Sequence, residues 1–377
     1  MLALLLLAGC SAPAPPAVRA GDVAPVEIQA SEEPDAGAPA PQDSGPSPIS
    51  DSDLGALVTR LSEETGEFPS DNLVSNETSY LHVADALGAV PPGRAYVGVG
   101  PEQNLSYVAL LRPAIAYVVD IRRENLLEHL AIRAAMEDAP TRAAFVGRLV
   151  AREVPELDDA APFEEIAAAF SKAKRSASLR DLGVERSIAL QKRLGIAFAG
   201  GDRARLVRIH QAFFARGLDL AYTMEGSARP YAPLRSQLAE PGSFLADETR
   251  YRFVRDFVLS NRLVPVVGDF AGDQALRGVA LDMRARGLAL GAFYASNVEE
   301  YLFDGHVYPA FVRNLGAFPA DEKSLVVRVW FDRGRPHPAQ RAGHRSTTLA
   351  VPLAQFLARS AATPFRTFWE VVTWTPD

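Results

Sequence analysis

From residue 51 onward the chain alternates between two hydrophobic periods. Leu54, Leu57, Val58 and Leu61 recur at helical spacing, which predicts a helix capped by Ser52 or Asp53. A second helix is predicted over 72–87, carrying Tyr80, Leu81, Val83 and Leu87. The period then changes. Ala95-Tyr96-Val97-Gly98-Val99-Gly100 is a short apolar run ending in glycines, as a buried strand and its following turn require. A short helix over 105–111 is broken by Pro113, and Ile115-Ala116-Tyr117-Val118-Val119-Asp120 reads as a second buried strand. Residues 124–136 form an amphipathic helix with Leu126, Leu127, Leu130 and Ile132 on its apolar side.

The stretch from about 140 to 255 is helical in pattern, with segments at 141–150, 163–173 and 204–215. It is too long for a plain crossover and reads as a helical insertion after the second strand. Alternation resumes with Leu263-Val264-Pro265-Val266-Val267-Gly268-Asp269, where Pro265 argues for an edge or an early strand position. A helix over 275–286 stops at Gly287, a strand follows over 288–294, and a further helix starts at Val298. Two late stretches, 324–331 and 365–374, alternate as antiparallel partners do. The whole predicts an α/β fold, a three-layer sandwich with a mainly parallel, Rossmann-like sheet covered by helices on both faces.

The N-terminus follows neither pattern. Leu2 to Leu7 are almost uninterrupted leucine, and small residues precede Cys10. An apolar run closed by a small-residue site is the layout of an export signal, and this run is far shorter than the roughly 20 residues that cross a bilayer. The stretch resembles the lipobox of bacterial lipoproteins, although no Lys or Arg precedes the apolar run. The resemblance implies a signal peptide over 1–9, lipidation of Cys10, and a membrane-anchored protein of the cell envelope facing away from the cytoplasm. Residues 10–50, rich in Ala, Pro, Ser and Gly, cannot bury enough apolar surface to fold and are expected to be a disordered tether. The globular domain is then 51–377.

Composition narrows the chemistry. Cys10 is the one cysteine, so the folded part carries no disulfide and no cysteine nucleophile. The net charge is −7 and the arginines are scattered among acids, unlike the concentrated basic stripe of a nucleic-acid binder. No nucleic-acid partner is expected. The six histidines show no zinc-ligand spacing, and no Gly-x-Ser-x-Gly elbow is present.

In open α/β sheets, ligands bind at the carboxyl ends of the strands. Here those ends carry Gly98-Val99-Gly100, Asp120, Asp269 and Tyr294-Ala295-Ser296-Asn297. Glycines after the first strand let the backbone approach a ligand, and an acid ending the second strand is placed to accept hydrogen bonds from a ribose. Asp120 also precedes Arg122 and Arg123, which suits an ion pair or a helix cap, and Asp269 opens a stretch that suits a turn. The glycine run lacks a third glycine, and Pro101 and Glu102 stand where a phosphate needs bare N–H groups. That pattern disfavours NAD and FAD. It does not disfavour a small-molecule ligand that lacks phosphate and carries a cationic centre, such as S-adenosylmethionine (SAM).

The order of these stretches resembles a class I SAM-dependent methyltransferase, within a bacterial group with a methyltransferase-like fold. Ser75-Asn76-Glu77-Thr78-Ser79-Tyr80, residues 96–104, 264–272 and 294–301 carry the resemblance. It implies that Gly98 and Gly100 line the methionine moiety of SAM, that Asp120 holds the ribose, and that Asp269 with Phe270 flanks the adenine. It also implies substrate-facing, catalytic positions at Tyr294, Asn297 and Glu299, with a capping role open for Asn297. Asn76, Glu77 and Tyr80 form a polar cluster able to close over the ligand.

Two functions follow. One is an envelope lipoprotein that binds SAM and transfers its methyl group to an acceptor. The other is a catalytically inactive binding or structural lipoprotein on the same scaffold, because SAM is made in the cytoplasm. Side chains of the insertion filling the space above Gly98 and Asp120 would favour the second. An open pocket lined by Asp120 and Asp269 would favour the first.

Overall fold

The computed structural model describes residues 47–68, 70, 72–223 and 231–376. The apolar run, Cys10 and most of the tether lie outside the described residues. No helix among the described residues is long and apolar enough to cross a membrane.

Six strands form one sheet: β1 (Ala95–Gly98), β2 (Ile115–Asp120), β3 (Leu263–Val267), β4 (Leu290–Ser296), β5 (Leu325–Phe331) and β6 (Ser346–Pro352). Their order is β3-β2-β1-β4-β5-β6, parallel throughout except for β6, which runs antiparallel to β5. This is a doubly wound, Rossmann-like order, and it reverses between β1 and β4. Every residue of β1, β2 and β3 is buried, so both faces of that half of the sheet are covered. Pro265 sits in β3, at the sheet edge, where its missing N–H breaks no ladder on the open side.

Helices α1 (Asp51–Leu61), α2 (Ala84–Gly88), α3 (Gln103–Leu111) and α4 (Arg123–Glu137) accompany the first two strands. Between β2 and β3 the chain continues through α5 (Arg142–Leu149), α6 (Phe163–Lys172), α7 (Ala177–Arg193), α8 (Asp202–Arg216), α9 (Leu234–Leu238) and α10 (Glu248–Leu259). Helices α7 and α8 pack on α4, so α4 is buried on nearly every side, including Asn125, Glu128, His129 and Arg133. Helices α11 (Ala275–Ala285), α12 (Val298–Asp304), α13 (Tyr308–Leu315), α14 (Leu353–Ala362) and α15 (Phe368–Thr373) complete the fold.

Four expectations need correction. The stretch 365–374 is helical, because Thr367 accepts a bond from the Glu370 N–H at 3.2 Å and starts α15. The antiparallel partner of β5 is instead the polar Ser346-Thr347-Thr348 segment, whose hydroxyls are sequestered: Ser79 Oγ lies 2.7 Å from Ser346 Oγ and 2.8 Å from Thr348 Oγ1. Residues 72–79 are not helical. Helix begins only at Tyr80, since Ser75, Glu77 and Ser79 commit their backbone N–H groups to Glu102, to the Ser75 hydroxyl and to Ser346. The cap of α1 is Ser50, whose hydroxyl accepts from the Asp53 N–H at 3.1 Å.

Candidate functional site at the carboxyl ends of the strands

A cavity of about 870 Å³ opens over the carboxyl ends of the parallel strands. Its wall takes residues from after β1 (Val99, Gly100, Pro101, Gln103), β2 (Asp120, Ile121, Arg122), β3 (Gly268, Asp269, Phe270) and β4 (Ser296, Asn297, Val298). The extended residues 72–78 and Tyr222 with Tyr231 from the insertion close its sides. The volume falls within the range of small-molecule sites, and the position is the topological switch point.

The loop after β1 is held from inside by Asn104. Its amide nitrogen donates to the carbonyls of Val99 (3.0 Å), Gly100 (3.0 Å) and Pro101 (2.8 Å), and its oxygen accepts from Tyr96 at 2.7 Å. Gly98 lies beneath this anchor. A Cβ there would stand 2.2 Å from Asn104 Oδ1 and 2.3 Å from the Tyr96 hydroxyl. Gly98 is thus required by close packing and does not form the cavity wall. Gly100 does, at a φ of +84°.

Asp120 reaches the cavity, but its carboxylate is engaged. Arg122 donates to it from Nε at 3.1 Å and Nη2 at 2.9 Å, and the Arg122 N–H adds a bond at 2.9 Å. Both side chains are about 5% exposed. Asp269 lines the wall and also closes a turn, with Oδ1 accepting from the Ala271 N–H at 2.8 Å. The Phe270 ring stacks on Phe311 (centroids 5.5 Å apart) and meets Phe293 edge-on in the core. Phe270 also borders the cavity, next to Asp269.

The three candidate catalytic residues part company. Asn297 lines the cavity and donates to Glu300 at 3.3 Å, without capping α12. Tyr294 lies just beneath the wall, where its hydroxyl donates to Glu77 and accepts from Gln103 Nε2 at 3.2 Å. Glu299 is excluded. It is fully buried in an ion pair with Arg328 (2.6 Å) and accepts from Tyr308 at 3.2 Å. A carboxylate locked by a guanidinium inside the core cannot face a substrate.

The residue the sequence reading undervalued is Glu77. Glu77 is one of the residues lining the cavity, and its buried carboxylate accepts from the hydroxyls of both Tyr294 and Ser296. A register shift in the β4–β5 ladder between Tyr294 and Ser296, and a φ of +51° at Ser296, bring these hydroxyls together. Burial pushes the Glu77 carboxyl up to about 7, against the two hydroxyl bonds, which act downward. Burial likewise raises Glu102 to about 7 and holds Glu128 well above the usual carboxylate range. It lowers His129, which contacts the Gly100 carbonyl at 3.1 Å, to about 4. Glu128 has no hydrogen-bond partner on either oxygen, and Glu102 has none on Oε2. Among the described residues, no group of three His, Cys, Asp or Glu side chains could hold a metal ion.

No curated protein matches the chain. A family model described as a domain of unknown function (DUF7790) matches residues 72–363, which include every wall segment named above. The match spans well over half of the 377 residues, and the chain belongs to the DUF7790 family.

Proposed function

We propose that this cavity binds S-adenosylmethionine and that the domain is a class I methyltransferase-like unit, able to pass the methyl group to an acceptor. The observation that carries the reading is the open cavity over the β1–β4 switch point, walled by Gly100, Asp120 and Asp269 and not filled by the described residues of the insertion. The chemistry of the wall fits this ligand. Glu102 sits buried at the start of α3, where a dinucleotide would need donors for its phosphates, so a pyrophosphate is disfavoured. Asp120, Asp269 and Glu77 supply acceptors along the wall for a ligand that carries hydrogen-bond donors.

Asp120 would hold the ribose hydroxyls with the lone pairs that Arg122 leaves, and Asp269 would face the adenine. Bound SAM would supply an electrophilic methyl group. The protein's part is positioning: Asn104 fixes the loop, and the Glu77 network fixes the end of β4. We further propose that the domain is carried in the envelope by lipidated Cys10.

The Asp120–Arg122 pair favours a second reading, a binding lipoprotein of the envelope that has lost catalysis, since the pair competes with a ribose for the same carboxylate. Calorimetric titration of the full chain with SAM, and separately with NAD, tests the proposal. Saturable SAM binding without NAD binding is expected. NAD binding alone would point to an oxidoreductase.

A further inference from the structure

The two hydroxyls that donate to Glu77 differ in where they stand. Tyr294 is fully buried beneath the wall, whereas Ser296 is half-buried and part of it. Glu77 itself is only 2% exposed, so the route open to a proton from a bound molecule runs through the Ser296 hydroxyl. Ser296 is also strained. Its φ of +51° lies in a region that non-glycine residues seldom occupy, beside the register shift of β4. Such a conformation costs on the order of 1–3 kcal/mol, persists only where the surroundings enforce it, and concentrates at working sites. Here Arg328, the β5 partner of Ser296, is pinned by Glu299.

We propose that Ser296 is a catalytic residue that relays a proton from the methyl acceptor to Glu77, and that the acceptor is a hydroxyl or amino group that must shed a proton to react. The inference rests on the SAM reading and deepens it. The acceptor's proton passes to Ser296 Oγ while the Ser296 proton passes to the Glu77 carboxylate. The acceptor's lone pair forms the bond to the methyl carbon as the carbon–sulfur bond breaks, and the electron pair of that bond stays on sulfur. The proton leaves Glu77 for solvent by the same hydroxyl. The other titratable groups around Glu77 do not share this position. Burial holds Tyr96 of β1, Tyr107 of α3 and Tyr294 well above the usual phenol range, and Glu102 is bonded to the Ser75 N–H at 3.3 Å.

The test gives the full chain SAM and one of two aryl acceptors, chosen because Phe68 and Tyr301 bring rings to the wall: phenol, which must lose a proton, and thiophenol, which ionises far more readily. S-adenosylhomocysteine release with phenol is expected to rise with pH through about 7, as Glu77 ionises. Ser296→Gly, which keeps the positive φ, and Glu77→Gln should each lower the phenol rate by about tenfold or more beyond any loss with thiophenol. Glu77→Gln should also lose the rise near 7. Without ligand, difference infrared spectra should show a carboxyl band that is missing from Glu77→Gln and that titrates at higher pH in Ser296→Gly, because the serine bond lowers it. Ser296→Ala serves the same purpose if the glycine variant fails to fold. Equal losses with both acceptors would mean a structural role and overturn the inference. An infrared titration untouched by the loss of the serine, or no turnover of phenol by a chain that binds SAM, would overturn it and leave the SAM reading standing. A wild-type chain that binds no SAM would overturn both.

Discussion

Arg122 grips Asp120 through two side-chain bonds, of 3.1 and 2.9 Å, at the point where β2 ends on the cavity. Removing one partner of such a buried pair costs far more than the pair contributes, because the remaining charge stays in a low-dielectric site. Asp120→Ala is expected to lower unfolding free energy by roughly 3–5 kcal/mol, and the double variant Asp120→Ala/Arg122→Leu to recover most of it. Urea unfolding measures both. Only the double variant can then report on ribose binding without confusing it with lost stability.

Glu299 and Arg328 make the equivalent test away from the site. Both are essentially unexposed, and the guanidinium also lies 4.4 Å from the centre of the Phe356 ring. Glu299→Ala should destabilise the fold by roughly 3–5 kcal/mol. Ligand affinity per folded molecule should not change. A selective loss of ligand binding with normal stability would return Glu299 to the site.

Asn104 has a different signature, since it satisfies three loop carbonyls at once. Asn104→Ala removes the side-chain donor that these carbonyls share, leaving them only the His129, Gln103 and residue-104 N–H contacts, and should cost about 1–3 kcal/mol. It should also abolish SAM binding at temperatures where the protein is still folded, because the Gly100 loop is no longer fixed. Titration well below the melting temperature checks this.

Glu77 predicts a pH dependence. Its carboxyl titrates at about 7 in the fold against an ordinary 4.5, so the folded state binds the extra proton between those values and stability falls as pH rises through that window. The full penalty, about 3 kcal/mol from the size of the shift, is present above about 7. Glu77→Gln should flatten the decline measured by urea unfolding from pH 5 to 8, while Glu102 keeps its own share of the slope. An equally steep decline in the variant would mean that Glu77 is ionised throughout.

Strands β1 to β5 were legible because each is a short, β-rich apolar run, and Pro265 correctly marked an edge. β6 was not, because Ser346, Thr347 and Thr348 look like a loop until Ser79 is brought against them from 267 residues away. Tertiary bonds also overrode helix formation before Tyr80. In the site, the strand ends pointed to Gly100, Asp120, Asp269 and Asn297, all of which meet at the cavity. Glu299 was misplaced by adjacency to them. The warning was Arg328 amid Val326, Val327 and Val329, since a lone arginine in a buried strand demands a carboxylate partner. The role of Glu77 had no local signal. It depends on a register shift in β4 that no periodicity announces.

The central claim is that SAM occupies the cavity over the switch point. Its most direct test is calorimetric titration of SAM into the full chain and into Asn297→Trp, which places an indole in the cavity and gives up one 3.3 Å bond to Glu300. Saturable binding in the wild type, at about micromolar strength, and its loss in a folded Asn297→Trp are predicted. No heat from the wild type at about millimolar SAM, or equal binding by both proteins, would contradict the claim.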